Sequence, residues 1–174
     1  MTEDVPQISL LADIKAAGAA IRKAIADADG PLPPHFLVEF LLSQWRRHLV
    51  VIHHQQGALS PEWLAAVDTT GRLLLSVLPV TSVEQRTNLA KTVPTLIAEL
   101  RGGVRQGQID QLAMDLFLKQ LGELHFAKLD PKRPLEKAHL SDLSDTIAMD
   151  VQDPRYRALL DRLDGADGVE HIEM

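Results

Sequence analysis

The stretch HFLVEFLLSQWRRHLVVIHHQQG, residues 35–57, carries the strongest indication of how this chain folds. Apolar residues recur along it at alternating four- and three-residue steps, the spacing that places side chains on one face of an α-helix. This stripe consists of Val38, Leu42, Trp45, Leu49 and Ile52. A second apolar stripe beside it is formed by Phe36, Phe40 and Val51. Because a helix that is apolar on more than one side contacts several neighbours, the sequence predicts a central helix over residues 35–56.

Four further helices are predicted around this one. They cover about residues 8–28, the stretch from the SPEW cap at residue 60 to Pro79, the stretch that begins at Thr81 or Ser82, and about residues 110–127. Pro94 lies within the fourth helix, and because proline lacks the amide hydrogen of the helical ladder, we expect a kink or a break there. No segment alternates convincingly enough to be a strand. The sequence therefore predicts an all-α fold, a single bundle of about five helices with a kinked fourth helix.

Two details of the packing also follow from the pattern. The fifth helix is expected to bury one stripe, made of Leu112, Leu116, Phe117, Leu121 and Leu124. Gly71, inside the third helix, costs about 1 kcal/mol relative to alanine. We therefore expect a close approach of another helix at Gly71.

The chain changes character after residue 128. The breaker DPKRP is followed by polar and acidic sequence with one short helical candidate, residues 153–163. We therefore predict a helical bundle domain over residues 1–128 and a polar, acidic C-terminal tail over residues 129–174 that is partly ordered.

Composition narrows the function. The 174 residues include no cysteine, which removes thiolate nucleophiles and Cys-ligated metals and favours a reducing compartment. The formal net charge is −6, whereas nucleic-acid binding needs a basic stripe, so no nucleic acid is expected as a partner. The N-terminus has no secretory pattern and the apolar runs are too short to span a bilayer. We expect a cytoplasmic protein without membrane insertion.

The pair His53–His54 invites a metal interpretation. Side chains at adjacent helix positions point about 100° apart, so the pair cannot easily chelate one ion. The more economical interpretation is a helix end, with the imidazoles bonding to the last free carbonyls and Gly57 as the left-handed residue after the helix. Two other pairs have a spacing found in metal sites, His35 with Glu39 and Glu136 with His139. Each pair occurs once, whereas a di-iron site needs two Glu-x-x-His motifs and two further glutamates. We predict no metal and no cofactor.

Catalytic motifs are also missing. The chain has no Gly-x-Ser-x-Gly elbow, no P-loop and no dinucleotide-binding glycine motif, and we expect no enzymatic activity. Arginines form two small groups, Arg46 with Arg47 beside Trp45, and Arg101 with Arg105 at the end of the fourth helix. They are candidates for binding an anion, although each group is also typical of a solvated helix edge.

Residues 32–127 resemble a segment of the proteobacterial proteins known as domain of unknown function 1631. The resemblance rests on LPPHFLVEFLLSQWRRHLVVIHHQQG, SPEWLAAV, LLLSVLP and TVPTLIAELRGGV, at residues 32–57, 60–67, 73–79 and 92–104. Where that family tends to show an acidic pair and a tryptophan before Ser-Val-x-Pro, this chain has Gly71, Arg72 and Leu75. The resemblance implies a helical module in a bacterial cytoplasm and carries no activity.

The sequence leaves two main hypotheses about the function of this protein, and a third that is weaker. The first is a non-enzymatic helical protein-interaction or regulatory module that binds a protein partner or itself, with Phe36, Phe40 and Val51 as candidate anchors for a partner helix. The alternative is a sensor of a small anionic ligand such as a nucleotide, which requires at least two of Arg46, Arg47, Arg101 and Arg105 to converge on one pocket. A metal-dependent enzyme is the third reading, and it requires His35, His53, His54 or His139 to meet carboxylates.

Overall fold

The computed structural model describes residues 4–28, 30, 33–106, 108–136, 158 and 161. Helix α1 spans Asp4–Asp27, and α2 spans His35–Phe40 and continues through a π-helical turn, Leu41–Trp45, into α3, Arg46–Gln56. Helices α4, α5 and α6 span Pro61–Leu75, Val83–Arg105 and Gln111–Leu129. Because α2, the π turn and α3 are one continuous helix, the described residues form five helices without strands. The predicted all-α class is confirmed.

The central helix contacts three neighbours, and the π turn explains how. Helix α2 packs on α6, whereas α3 packs on α1 and α4. In the π turn the Arg46 amide donates to the Leu41 carbonyl, five residues back, so the turn holds one more residue than an α-helical turn. The extra residue rotates the faces of α3 relative to those of α2. The helix predicted over about residues 35–56 is confirmed in its extent, and the π turn within it is a feature that was not predicted.

Side-chain caps fix the starts of three helices. The Ser60 hydroxyl accepts from the Trp63 amide at 3.1 Å, the Ser82 hydroxyl accepts from the Gln85 amide at 3.1 Å, and an Asp110 carboxylate oxygen accepts from the Ala113 amide at 2.9 Å. Each bond satisfies an amide that has no partner inside its own helix. The predicted starts at Ser60 and at about residue 110 are confirmed, and of the two residues left open for the fourth helix, Thr81 and Ser82, the structure uses Ser82 as the cap.

The core joins the central helix to α4, α5 and α6. Trp45 is 1% exposed, and its indole Nε1 donates to the Thr70 hydroxyl of α4 at 2.8 Å. The ring of Phe40 stacks on that of Phe117, with centroids 3.7 Å apart. This contact helps to orient α6, which buries Met114, Phe117, Leu121, His125 and Lys128.

Two predictions about packing were wrong. Leu112 and Leu116 are 77% and 59% exposed, because α6 presents to the core a stripe rotated away from them. Gly71 makes no close approach, since a Cβ atom built there would meet nothing within 4 Å. The close approach occurs at the buried Gly103, where a Cβ would collide with the side chain of Ile109.

A kink or a break was predicted at Pro94. Helix α5 runs through Pro94 without a break.

The described chain continues past α6 and returns to the bundle. We call residues 130–136 the arm. The Glu136 amide donates to the Val80 carbonyl at 2.8 Å, so bundle contacts extend beyond the boundary predicted at residue 128. Of the short helix predicted over residues 153–163, Ala158 and Asp161 are described and both are helical, and the rest lies outside the described residues. Within the described part of the chain, no helix combines the length and the apolar character needed to cross a bilayer.

Candidate functional site

The three predicted partner anchors belong to the core rather than to a groove. Phe40 and Val51 are 4% and 3% exposed. Phe36 is half-buried, with its ring centroid 5.9 Å from that of Phe117. Phe40 and Val51 were therefore wrong as anchors in this conformation, because both contribute their surface to the packing of the central helix.

The four predicted anion-binding arginines do not line one open pocket. Arg46 is buried at 0% exposure and Arg47 is half-buried, both in the first turn of α3. Arg101 and Arg105 are exposed on the last turns of α5. Because a fully buried guanidinium does not face solvent, Arg46 cannot share a solvent-accessible site with Arg101 and Arg105 in this structure.

The His53–His54 pair has a partner that the sequence did not reveal. Both rings contact the carboxylate of Asp13 on α1, with Nδ1 of His53 2.5 Å from Oδ1 and Nδ1 of His54 2.7 Å from Oδ2. An ionised carboxylate only accepts hydrogen bonds, so both imidazoles present a protonated Nδ1 to it. The prediction that these rings bond to the last helix carbonyls is therefore corrected. Nothing in the sequence distinguishes Asp13, which is 4% exposed, from a solvated aspartate.

Gly57 ends helix α3 with the positive φ that was predicted, but not with the ψ of a left-handed helix. Gly57 has a positive φ of 87°, and its amide donates to the His53 carbonyl at 2.9 Å. Its ψ of 166° differs from the left-handed helical value, but the conformation is still one that glycine alone adopts readily.

The described residues contain no group of three or more histidine, aspartate or glutamate side chains that could hold a metal ion. The hypothesis of a metal site therefore has no candidate site in this part of the chain. The Asp13 carboxylate oxygens are engaged by the two imidazoles. Nε2 of His35 lies 3.7 Å from Oε1 of Glu39 on the surface of the bundle. His139 lies outside the described residues.

A buried serine–histidine contact joins the end of α4 to α6. Nε2 of His125 lies 3.0 Å from the Ser76 hydroxyl, which itself donates to the Leu73 carbonyl at 2.6 Å. Because the hydroxyl hydrogen is used by Leu73, the imidazole is the donor to Ser76, and Nδ1 of His125 is left without a partner among the described residues. Burial lowers the pKa of His125 to about 4, assisted by the nearby charge of Lys128. A nucleophilic serine needs the opposite polarity, with the histidine accepting its proton.

Two apolar hollows flank Leu75 at the C-terminal end of α4. A hollow of about 380 Å³ lies between this end and the first half of α5, and its lining includes Leu75, Leu78 and Leu89. A second hollow of about 180 Å³ lies between α4 and the end of α1, and Leu75 lines it together with Ala24 and Gly71. Leu75 itself is 55% exposed. We call the two hollows with this leucine the Leu75 groove.

Charged side chains at the groove neutralise one another. Lys23 and Asp27 form an ion pair on α1. Arg72 pairs with Asp68 on its own helix and with Glu99 on α5. The groove is therefore an apolar surface bordered by satisfied charges. The consecutive leucines at residues 73–75 are the sequence signal for it, but only the packing shows that the third of them is left exposed.

Comparisons with known proteins supply a family and no activity. No curated protein and no solved structure gives a significant match. One family model matches residues 12–122 and is described as the third domain of a protein of unknown function, DUF1631. The match begins in α1 and ends in α6, so it includes α1, which the resemblance over residues 32–127 omitted. Since the match covers more than half of the chain, this protein belongs to the DUF1631 third-domain family.

Proposed function

We propose that this protein is a non-enzymatic helical interaction module that binds an amphipathic helix of a protein partner in the Leu75 groove. The observation that carries the proposal is the exposed Leu75 standing between two apolar hollows. A partner helix would lay leucine-sized side chains into the hollows at a spacing of three to four residues, the common mode of helix-in-groove recognition.

Burial of apolar surface would supply the affinity. Covering apolar surface stabilises a complex by about 25 cal/mol per Å², and a few well-packed anchors usually dominate an interface. Leu75 is suited to this role because it lines both hollows and would lose its contact with water when the groove is covered. Replacing it by a charged residue would leave that charge facing an apolar partner surface, which is strongly unfavourable.

The paired charges at the border of the Leu75 groove indicate what kind of partner helix would bind there. The ion pairs of Lys23 with Asp27 and of Arg72 with Asp68 and Glu99 leave little charge for a strongly acidic or basic partner. We therefore propose a helix recognised by its apolar face, with an affinity that changes little with salt concentration, because screening acts mainly on exposed charges.

The setting that we propose is a regulatory one in the bacterial cytoplasm, without nucleic acid. The family description numbers this domain as the third, so in proteins of that family a neighbouring domain is one possible source of a docking helix. The non-enzymatic reading is supported by the polarity of the Ser76–His125 contact, in which the histidine donates.

The test is site-specific photo-crosslinking in cells with a photoreactive amino acid at position 75. Leu64 provides the matched control, because it lies on the same helix, is 57% exposed and lines neither hollow. Cross-linked peptides are identified by mass spectrometry, synthesised, and titrated against the purified wild-type protein, Leu75→Asp and Leu64→Asp at low and high salt.

The expected result is an amphipathic helical peptide that cross-links at position 75 and not at 64. We expect Leu75→Asp to weaken its binding at least about tenfold, whereas Leu64→Asp leaves it unchanged. Cross-links only to residues 153–163 of the same chain would replace the partner by an intramolecular helix, and cross-links only to a second copy would replace it by self-association. Equal labelling at both positions, or none, would overturn the proposal.

A further inference from the structure

The arm is fastened to the bundle through the carboxylate of Glu136. One carboxylate oxygen, Oε2, accepts from the Val80 amide at 2.6 Å and from Nζ of Lys128 at 3.0 Å. The other oxygen, Oε1, lies 3.1 Å from the same Nζ. The carboxylate is thus held by a backbone amide and an ammonium group.

Lys128 is an unusual donor because its side chain is only 6% exposed, although Glu136 is 45% exposed. A buried ammonium group is unfavourable unless an anion compensates it. In this structure the compensation comes from a carboxylate on a short surface segment and not from the helices that bury the lysine. The bundle therefore contains a preformed carboxylate position that the arm fills.

A cavity of about 450 Å³ adjoins this position, and its lining is rich in positive charge. Arg86, Lys128 and Arg133 line it together with a single carboxylate, that of Glu136. The volume falls within the range of about 300–1,000 Å³ that is usual for small-molecule sites. The apolar remainder of the wall includes Leu124 and Ala127.

Arg86 has donors to spare. Its Nε donates to the Lys128 carbonyl and one Nη2 hydrogen donates to the Arg133 carbonyl, both at 3.1 Å. A guanidinium carries five N–H donors, so three of them meet no acceptor among the described residues. Among the described residues, the guanidinium of Arg86 donates hydrogen bonds to these two carbonyl oxygens and to no carboxylate. Its charge is therefore not paired with a carboxylate in this part of the chain.

We propose that this cavity is a binding site for small dicarboxylates. One carboxylate of the ligand takes the place of Glu136 on Lys128 and the Val80 amide, and the other meets Arg86 and Arg133. Binding therefore detaches Glu136, the last residue of the arm, from Lys128 and the Val80 amide, while the Arg86 bond to the Arg133 carbonyl keeps Arg133 at the cavity. This cavity adjoins the Leu75 groove, since Val80 lines both, but the proposed ligand does not depend on the proposed partner.

The present occupant argues for a carboxylate rather than another anion. The ammonium lies at nearly equal distances from both Glu136 oxygens, and the amide of Val80 points at one of them. This arrangement fits two coplanar oxygens. A ligand with one carboxylate would gain no contact that Glu136 does not already make, whereas a second carboxylate would add the contacts to the two arginines.

The experiment titrates glutarate into the full-length chain by calorimetry, at constant ionic strength maintained with chloride. The variants are Glu136→Ala, which vacates the position, and Lys128→Met, which removes the ammonium but keeps the length of the side chain. Lys119→Met, on the exposed face of the same helix, is the matched control. Acetate and inorganic phosphate are titrated in parallel, and far-ultraviolet circular dichroism establishes that each variant is folded.

We expect Glu136→Ala to bind glutarate about tenfold or more tightly than the wild type, because an internal competitor at high effective concentration has been removed. Lys128→Met should lose binding, Lys119→Met should behave like the wild type, and acetate and phosphate should bind more weakly than glutarate. Hydrogen exchange at the Val80 amide gives a second readout, which accelerates in Glu136→Ala and slows again with glutarate.

The proposal is overturned if folded Glu136→Ala binds no glutarate, or if the Val80 amide is not protected by it. It is also overturned if phosphate binds as tightly as glutarate, which would indicate an unselective basic surface. If Lys128→Met does not fold, Arg133→Met takes its place, because Arg133 is exposed and its removal should weaken glutarate without weakening acetate.

Discussion

Nε2 of His125 donates to the Ser76 hydroxyl across 3.0 Å inside the bundle, and this contact ties α6 to the residue that follows α4. The bond requires a hydrogen on Nε2, which the neutral ring supplies in one of its two tautomers. A protonated ring would place a second hydrogen on Nδ1, which has no acceptor among the described residues. Burial and the lack of an acceptor at Nδ1 therefore favour the neutral histidine at this position.

The first prediction is a loss of stability in mild acid. Burial lowers the pKa of both His48 and His125 from 6.5 to about 4. As the pH falls below 6.5 the unfolded chain takes up protons before the folded one, so the contribution is complete above pH 6.5 and is lost as the pH approaches 4. At about pH 5 we expect each histidine to have reduced the free energy of unfolding by about 2 kcal/mol.

Urea unfolding across this pH range measures the loss. His125→Gln keeps a donor for Ser76 and removes the titration, so its stability should fall less steeply with pH than that of the wild type. The exposed His35→Gln is the control and should leave the slope unchanged. An unchanged slope in His125→Gln would contradict the assignment to this ring.

The second prediction concerns the carboxylate shared by two histidines. Asp13→Ala should destabilise the fold by about 2–4 kcal/mol, because two partly buried Nδ1–H groups lose an ionised acceptor at once. Asp27→Ala, which removes an exposed aspartate from the same helix, should cost less than about 1 kcal/mol. Chemical denaturation of the two variants gives the comparison, and similar losses would mean that the Asp13 contacts contribute little.

The third prediction uses two glycines with opposite expectations. Gly57→Ala should destabilise the protein by about 1–3 kcal/mol, because a Cβ atom disfavours its positive φ. Gly122→Ala should stabilise it by about 0.5–1 kcal/mol, since this residue lies inside α6 with open space around it. Thermal unfolding should move the midpoints in opposite directions, and a neutral Gly57→Ala would contradict the conformation at the end of α3.

The fourth prediction tests the bond between the two core helices. Thr70→Val keeps the shape of the side chain but leaves the buried Trp45 indole without its acceptor, so we expect a loss of about 1–3 kcal/mol. Thr87→Val, at an exposed position of α5, should change stability by less than about 0.5 kcal/mol. A double-mutant cycle with Trp45→Phe isolates the pair, and additive losses would show that the bond contributes no coupling.

Local sequence patterns predicted the elements of this fold well. The cap at Ser60, the start of the fourth helix at Thr81 or Ser82 and the glycine at position 57 depend on a few neighbouring residues, so the sequence alone was enough to predict them. The central helix was identified by its two apolar stripes for the same reason. The π turn was not, because this helix is apolar on more than one side, so the spacing of its apolar residues does not show where one extra residue enters a turn.

Candidate sites were harder to predict because burial decides the role of a polar or apolar side chain. Phe40 and Val51 were expected at a surface and lie in the core, while Leu75 lies exposed between two hollows. The partner of the two histidines, Asp13, is forty residues away in sequence from His53. Such a contact has no signature of spacing or composition.

Periodicity and capping act over a few residues, so the sequence alone indicated the helical class, the five helices of the described residues and the cap at Ser60, while the family was indicated by the resemblance of four segments. The tertiary structure alone decided which stripe of α6 is buried, which arginines face solvent, and that Lys128 meets Glu136 beside Val80. Those outcomes depend on how helices distant in sequence compete to cover one another, and α6 is apolar on more than one side. Packing chose the side that stacks Phe117 on Phe40, and that choice left Leu112 and Leu116 in water.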